Sequence, residues 1–206
     1  TANDVMDTNA GEAQRAVLED LLNNTKAILD CTDETETKVG FFKKDKLAEL
    51  TAAYNNAKTV FDHNSSTDFA AVYRQLLTEY SALMADNYAR VGIMEGAAYR
   101  INNKNYSGRF MSVNSEKKVI AEENANNEAQ KWYFVATDTE GTYYLKNKST
   151  GTYAKSISTS KQLDASAATT EDAAKYSLVF IGDGSLAITE STGIHCAASY
   201  NVVGWN

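Results

Sequence analysis

Two histidines, His63 and His195, are the only imidazoles in this 206-residue chain, and neither stands in a Ser or Cys nucleophile motif. His63 closes a helical run just before Asn64-Ser65-Ser66, which predicts a solvated residue favoured by the negative end of a helix dipole. Acid pairs occur at Glu122-Glu123, Asp138/Glu140 and Glu171-Asp172, all within turn-like segments. Paired carboxylates do general acid–base work only when held on either side of a scissile bond, and turn positions name no such reaction. The two cysteines, Cys31 and Cys196, form no C-x-x-C and lack metal-ligand spacing. They either bridge the two halves of the chain or are separately buried as free thiols, because two arbitrary thiols seldom meet the separation a disulfide demands. No phosphate-cradling glycine loop is present. The reading is a non-enzyme: no catalytic residue, no metal site and no cofactor.

Charge narrows the partners. The net charge is −7 and the isoelectric point lies near 4.9. Nucleic acid is excluded, since phosphate recognition rests on clustered Lys and Arg, and an anionic membrane surface is disfavoured for the same reason. No apolar run approaches the roughly 20 residues that span a bilayer, which excludes membrane insertion. The chain starts at Thr1 without a signal segment. It reads as a mature protein or a fragment from which any targeting signal is gone. Asn, Ser, Thr and Tyr as polar filler suit an extracellular surface.

Two kinds of element must position whatever site exists. Up to Gly92–Gly96 the apolar spacing is helical. Val17, Leu18, Leu21, Leu22, Ile28 and Leu29 mark a first helix over about Glu12 to Asp30. Leu47, Leu50, Tyr54, Ala57 and Phe61 step by three and four along a second. Phe69, Val72, Tyr73, Leu76, Leu77, Tyr80, Leu83 and Met84 form a third, with Ser65 or Ser66 as its cap and Asp68 in its first turn. One helix cannot bury such a stripe alone, so three imply an antiparallel bundle. After Gly96 the runs become short and strand-like: Tyr99–Ile101, Phe110–Val113, Val119–Ala121 and Trp132–Val135. Tyr143–Leu145, Tyr153-Ala154, Gln162-Leu163 and Tyr176–Phe180 repeat that set, and Leu186–Ile188, His195–Ala197 and Val202–Trp205 begin a third.

The repeat has a fixed period. Gly108, Gly151 and Gly193 recur at intervals of 43 and 42 residues. Gly108-Arg109-Phe110 is followed 22 residues after its aromatic by Gln130-Lys131-Trp132, and Gly151-Thr152-Tyr153 is followed by Tyr176. Repeats of this size share one core, because no single unit buries its own apolar face. Gly-aromatic, a β run, then Gln-x-Trp resembles the ricin-type β-trefoil, a fold used mainly for carbohydrate binding. The order of the helices, with "KLAELTAAYNNAKTVFD" and "STDFAAVYRQLLTEYSALM", resembles the FIVAR-type three-helix module, a spacer or binding module of bacterial surface proteins. The expected fold class is therefore multi-domain α + β: an antiparallel three-helix bundle over 1–93 and an all-β ricin-like trefoil over 94–206. By the repeat spacing, the third counterpart of Trp132 falls near position 217, so the trefoil's last hairpin is expected to be missing or the barrel open.

Residue by residue, the resemblance implies a partial sugar site. Ricin-type sites hold a sugar with an aromatic ring under its apolar face and with an Asp and an Asn/Gln on its hydroxyls. In the first repeat Gln130 and Trp132 match, but Ser112 takes the Asp position, Ile120 or Ala121 the ring position, and Ala129 precedes the Gln. In the second, Ala174-Lys175-Tyr176 replaces Gln-x-Trp and Lys155 stands near the Asp position. In the third, Trp205 stands where the stacking ring belongs, with Ala197 or Ala198 at the Asp position. The carbohydrate-binding set implied is Trp205, Asn206, Asn201 and Gln130, although Gln130 also reads as a residue satisfying the backbone of its own repeat. Trp132, Phe110 and Phe134 read as structural core, joined by Ile101, Leu145, Leu178 and Ile188. His195 replaces the core aromatic of its repeat and reads as a core or rim histidine. The function implied is a non-catalytic attachment module of a secreted or cell-surface bacterial protein within a larger polypeptide, its partner a glycan. The alternative is a structural spacer or protein-binding module.

Overall fold

The structure, a computed structural model, describes residues 2–63, 68–86, 88–181 and 185–205. The chain divides into two compact units, with a boundary between Gly92 and Ile93.

The first unit holds helices α1 (Ala2–Asp30), α2 (Ala48–Asp62) and α3 (Phe69–Ala85), which pack against one another pairwise. A two-residue parallel pair, β1 (Thr32–Asp33) with β2 (Phe42–Lys43), lies between α1 and α2 in the chain. Leu18, Leu50, Phe69, Leu76 and Phe42 are fully enclosed in the core of this unit, and Leu21, Leu22, Ile28, Ala53 and Val72 complete it. The expected stripes are wider than the faces that become buried. Val17 on α1 and Leu77 and Met84 on α3 are exposed. An α-helix turns about 100° per residue, so a stripe of eight positions spills over the edge of any contact face. The first helix also begins at Ala2 rather than near Glu12, in a stretch whose lack of proline allows the turn to continue. The expected serine caps Ser65 and Ser66 lie outside the described residues. Asp68 stands just before the first turn of α3 rather than in it.

The second unit contains β3 (Ala98–Tyr99), β4 (Arg109–Val113), β5 (Val119–Glu123), β6 (Trp132–Ala136), β7 (Thr142–Asn147), β8 (Tyr176–Ile181), β9 (Ser185–Thr189), β10 (Gly193–Cys196) and β11 (Val202–Trp205). All pairings among these are antiparallel. The main sheet runs in the order β11-β10-β9-β8-β7-β6-β3, with β4–β5 as a separate hairpin. The expected strands at Tyr153-Ala154 and Gln162-Leu163 are present only as isolated bridges, Lys146↔Tyr153, Tyr153↔Ala167 and Gln162↔Val203. Between them the buried Ile157 is the single apolar residue among Ser, Thr and Lys, too few for a ladder of its own.

A cyclic set of backbone bonds relates the three repeats. The Ala165 amide donates to the carbonyl of Lys117, the Gly204 amide to Lys161, and the Ala121 amide to Tyr200. Each hairpin tip thus lends a carbonyl to the next hairpin. Each tip also carries one residue in the left-handed region: Lys117 (φ 61°), Ser160 (φ 62°) and Tyr200 (φ 62°). The three receiving positions are small because backbones approach closely there; a Cβ at Gly204 would sit 2.4 Å from the Ser158 carbonyl oxygen.

Beneath this cap lies the core. Val119, Leu163 and Val202 are buried in one cluster with Trp132, Leu145, Tyr176, Phe134 and Ile188. The Trp132 indole Nε1 donates to the Met111 carbonyl at 2.9 Å, 21 residues upstream. In the second repeat the Tyr176 hydroxyl donates to the Lys155 carbonyl, also 21 residues upstream. A phenol therefore does the work of the indole, and its burial pushes the Tyr176 hydroxyl well above the ordinary tyrosine range. Of the expected core, Ile101 and Leu178 are half-buried against the cluster. Phe110 departs from the expectation: it is half-buried, outside the buried cluster, with the Arg100 guanidinium 4.6 Å from its ring centroid. The neighbouring Met111 takes the core position instead.

Candidate functional site

The third hairpin carries an exposed aromatic ring on one face and core residues on the other. In the β10–β11 register, Ile194 faces Gly204 and Cys196 faces Val202, while Gly193 faces Trp205 and His195 faces Val203. Cys196, Val202 and Gly204 are buried, so the alternate residues point outward. Trp205 is 58 % exposed, and its ring lies 5.6 Å from that of His195 at an interplanar angle of 36°. The two are diagonal neighbours across the hairpin, close enough for ring contact to limit the motion of both. His195 is half-buried on this outward face rather than in the core. Its alternation with the inward Ile194 and Cys196 was the signal that would have shown this.

The other residues of the expected sugar set are arranged differently. Gln130 is fully buried. Its Oε1 accepts from the Ala125 and Asn126 amides, and its Nε2 donates to the Glu123 carbonyl at 2.6 Å. A side chain so enclosed is closed to a ligand, and Gln130 leaves the sugar-facing set to hold the turn leading into β6. Asn201 is half-buried and its Oδ1 accepts from Gln162 Nε2 at 3.2 Å, an amide that also bonds the Val119 carbonyl. It ties the cap together. Asn206 lies outside the described residues.

The acid positions read from the motif do not form a site either. Ser112 is fully buried with its Oγ unpaired, so no side chain at 112 reaches solvent. Lys155 is half-buried and contributes its backbone to the second repeat. A carboxylate that sequence reasoning passed over, Glu190, precedes β10. It accepts from Ser156 Oγ at 3.0 Å and Ser191 Oγ at 2.8 Å, and from the Ile157 amide. Burial alone would raise its carboxyl, but these hydrogen bonds prevail and hold it below the ordinary glutamate range. It fastens the second repeat to the third. His63 is exposed at the end of α2, with Nδ1 2.7 Å from the Thr59 carbonyl. Cys31 and Cys196 are both buried, and neither is part of a disulfide. Among the described residues no group of His, Cys, Asp or Glu is placed to hold a metal ion, and no helix is long and apolar enough to cross a membrane.

The three-tip cap and the paired Trp132 and Tyr176 bonds show a threefold repeat, and sequence comparison agrees. Residues 90–178 match the family described as ricin-type beta-trefoil lectin domain-like. The region that follows the three helices is thus similar to a ricin-type lectin-like domain. No curated protein sequence matches the chain. Among solved structures, it is similar to a Polyporus squamosus lectin bound to a human-type influenza-binding epitope, at 17% identity, covering 56% of this chain and 45% of that one, with a TM-score of 0.49. A designed threefold-symmetric protein matches at 18% identity over 53% of this chain and 89% of its own, with a TM-score of 0.47. An endo-β-galactosidase of Clostridium perfringens that releases GlcNAcα1-4Gal matches at 21% identity over 56% and 30%, with a TM-score of 0.45. The chain spans less than half the length of the Polyporus lectin.

Proposed function

We propose that the ricin-type unit is a non-catalytic carbohydrate-binding module and that its sugar contact is centred on Trp205, with His195 bracing the ring. The observation that carries this reading is a tryptophan 58 % exposed on the outward face of a hairpin whose opposite face is core. Sugars present C–H patches that pack on such a face, and a ring already held loses little freedom on binding. The setting we infer is a secreted or cell-surface bacterial protein, in which the module serves a larger polypeptide and the helices form a FIVAR-like spacer. A second reading, a spacer or protein-binding role for the whole chain, is supported by Gln130 and Ser112 being buried.

Titration with mono- and oligosaccharides separates the two. The chain has two tryptophans, Trp132 fully buried and Trp205 exposed, so a fluorescence change on binding reports Trp205. The expected affinity is about millimolar, roughly −4 kcal/mol, because one stacked ring leaves little surplus after the costs of association. Trp205→Ala should abolish that response. Binding that persists unchanged in this variant moves the site elsewhere, and no response to any glycan favours the spacer.

A further inference from the structure

Outside the Trp205 hairpin, a second group of rings and charges lies where the first repeat meets the third. Tyr200, at the tip of the β10–β11 hairpin, is the only aromatic among the three left-handed tip residues; the others are Lys117 and Ser160. A bulky ring in that backbone region is costly where Gly or Asn would be at ease. Its backbone is nevertheless fixed on both sides, the amide donating to Ala197 and the carbonyl accepting from Ala121. The Arg109 guanidinium lies 3.6 Å from the Tyr200 ring centroid, and Tyr106 meets the ring edge-on at 5.4 Å and 83°. Tyr106 is itself placed by a turn in which the Asn103 Oδ1 accepts from the amides of Asn105 and Tyr106. Arg109 is directed by the Ala121 carbonyl at 3.1 Å and by Glu123, its cross-strand partner, at 3.3 Å.

Tyr200 is thus a ring pinned by a cation on one side and an aromatic edge on another, yet still 38 % exposed. The Glu123 side chain, paired with the Arg109 that lies over this ring, is 86 % exposed. A stacking platform whose rotamer is already fixed, next to an open carboxylate able to accept from two hydroxyls, is the equipment for an uncharged sugar. Arg109 and Glu123 already offset each other's charge, so an anionic sugar gains no unpaired cation from this pair.

We propose that Tyr106, Arg109, Glu123 and Tyr200 form a second glycan subsite, for a neutral pyranose residue, separate from Trp205. The inference rests on the carbohydrate-binding reading of the unit, and NMR shift mapping on the full chain tests the two apart. The probes are lactose, cellobiose and chitobiose, with sialyllactose as the anionic counterpart. In Trp205→Ala, a neutral disaccharide should still shift the amide signals of Tyr106, Arg109 and Tyr200. Tyr200→Gly, which suits the left-handed backbone, should weaken that response about two- to tenfold, the scale of one lost stacking contact. Glu123→Gln, a surface change that leaves the fold intact, should narrow the preference for the neutral sugars over sialyllactose. Shifts confined to the surroundings of His195 and Trp205 would overturn the subsite and keep the module a lectin. An unchanged response in Tyr200→Gly would overturn it too. No shift anywhere with any of these sugars would overturn both readings.

Discussion

The first and third hairpins of the ricin-type unit share a plan and present opposite chemistry. In β4–β5, the position read as the sugar-binding acid is Ser112, fully enclosed, and the ring position falls at the half-buried Ile120 or the buried Ala121. In β10–β11, the outward side carries Trp205 and His195 while Cys196, Val202 and Gly204 fill the inward side. Inward positions answer to packing and stay apolar or small in both hairpins. Outward positions have no such constraint, so chemistry gained or lost there leaves the fold untouched. Two tryptophans of one unit therefore stand in different settings: Trp132 closes a core, and Trp205 is open to solvent, where we propose that it meets a sugar.

Paired substitutions test that division. Trp132→Ala should lower stability by about 3–5 kcal/mol, and Trp205→Ala should stay within about 0.5 kcal/mol. Denaturant midpoints compare them directly; equal losses would make the outward ring a structural one. Gly204→Ala comes next, at about 1–3 kcal/mol, because its new Cβ must displace backbone. The contact at issue is the Ser158 carbonyl oxygen, 2.4 Å from the ideal Cβ position. A thermal melt unmoved by this change would mean that the cap yields. Tyr176→Phe should cost about 1–2 kcal/mol by leaving the Lys155 carbonyl buried without its donor, and equilibrium unfolding measures it.

The smallest effect concerns Glu190 and depends on pH. Hydrogen bonds from Ser191, Ser156 and the Ile157 amide outweigh burial and lower its carboxyl below the ordinary value. A group whose folded value lies below its unfolded one adds stability above the unfolded value and loses it as pH falls through the folded one. Glu190→Gln should therefore cost about 1 kcal/mol or less at neutral pH, with solvent screening holding the figure down. The gap from the unmodified protein should close on acidification below the ordinary glutamate range. Urea melts at a series of pH values would show this, and a constant gap would remove Glu190 as the fastener between repeats.

The helices and most strands were legible because their apolar periods, three to four and two, leave a direct mark on sequence. Leu18, Leu50 and Leu76 were readable as core, and they are fully buried. The repeat was legible through Gly108, Gly151 and Gly193. The Tyr153–Leu163 arm was not, since its residues bridge to other hairpins instead of forming a ladder, and such pairings leave no local period. Side-chain roles were harder still. The sequence favours Gln130 as a residue satisfying its own turn over a sugar contact, and its enclosure agrees. His195 was read from its place in the repeat, whereas its surroundings follow from strand alternation. The Tyr200–Arg109 contact joins residues far apart in the chain, and no motif marks it.

The ring of tip-to-hairpin bonds also bears on how this unit reaches its native state. Each of the three bonds, Ala165 to Lys117, Gly204 to Lys161 and Ala121 to Tyr200, joins stretches distant in sequence. None can form until two hairpins have been brought together, so the loop-closure cost comes first and the reward afterwards. Contacts of this kind slow folding and concentrate it into one cooperative event. The same geometry ranks the amides by how they exchange with solvent deuterium. Those of Ala121, Ala165 and Gly204 open only when the whole cap opens and should be among the last to exchange. The three repeats stand or fall together.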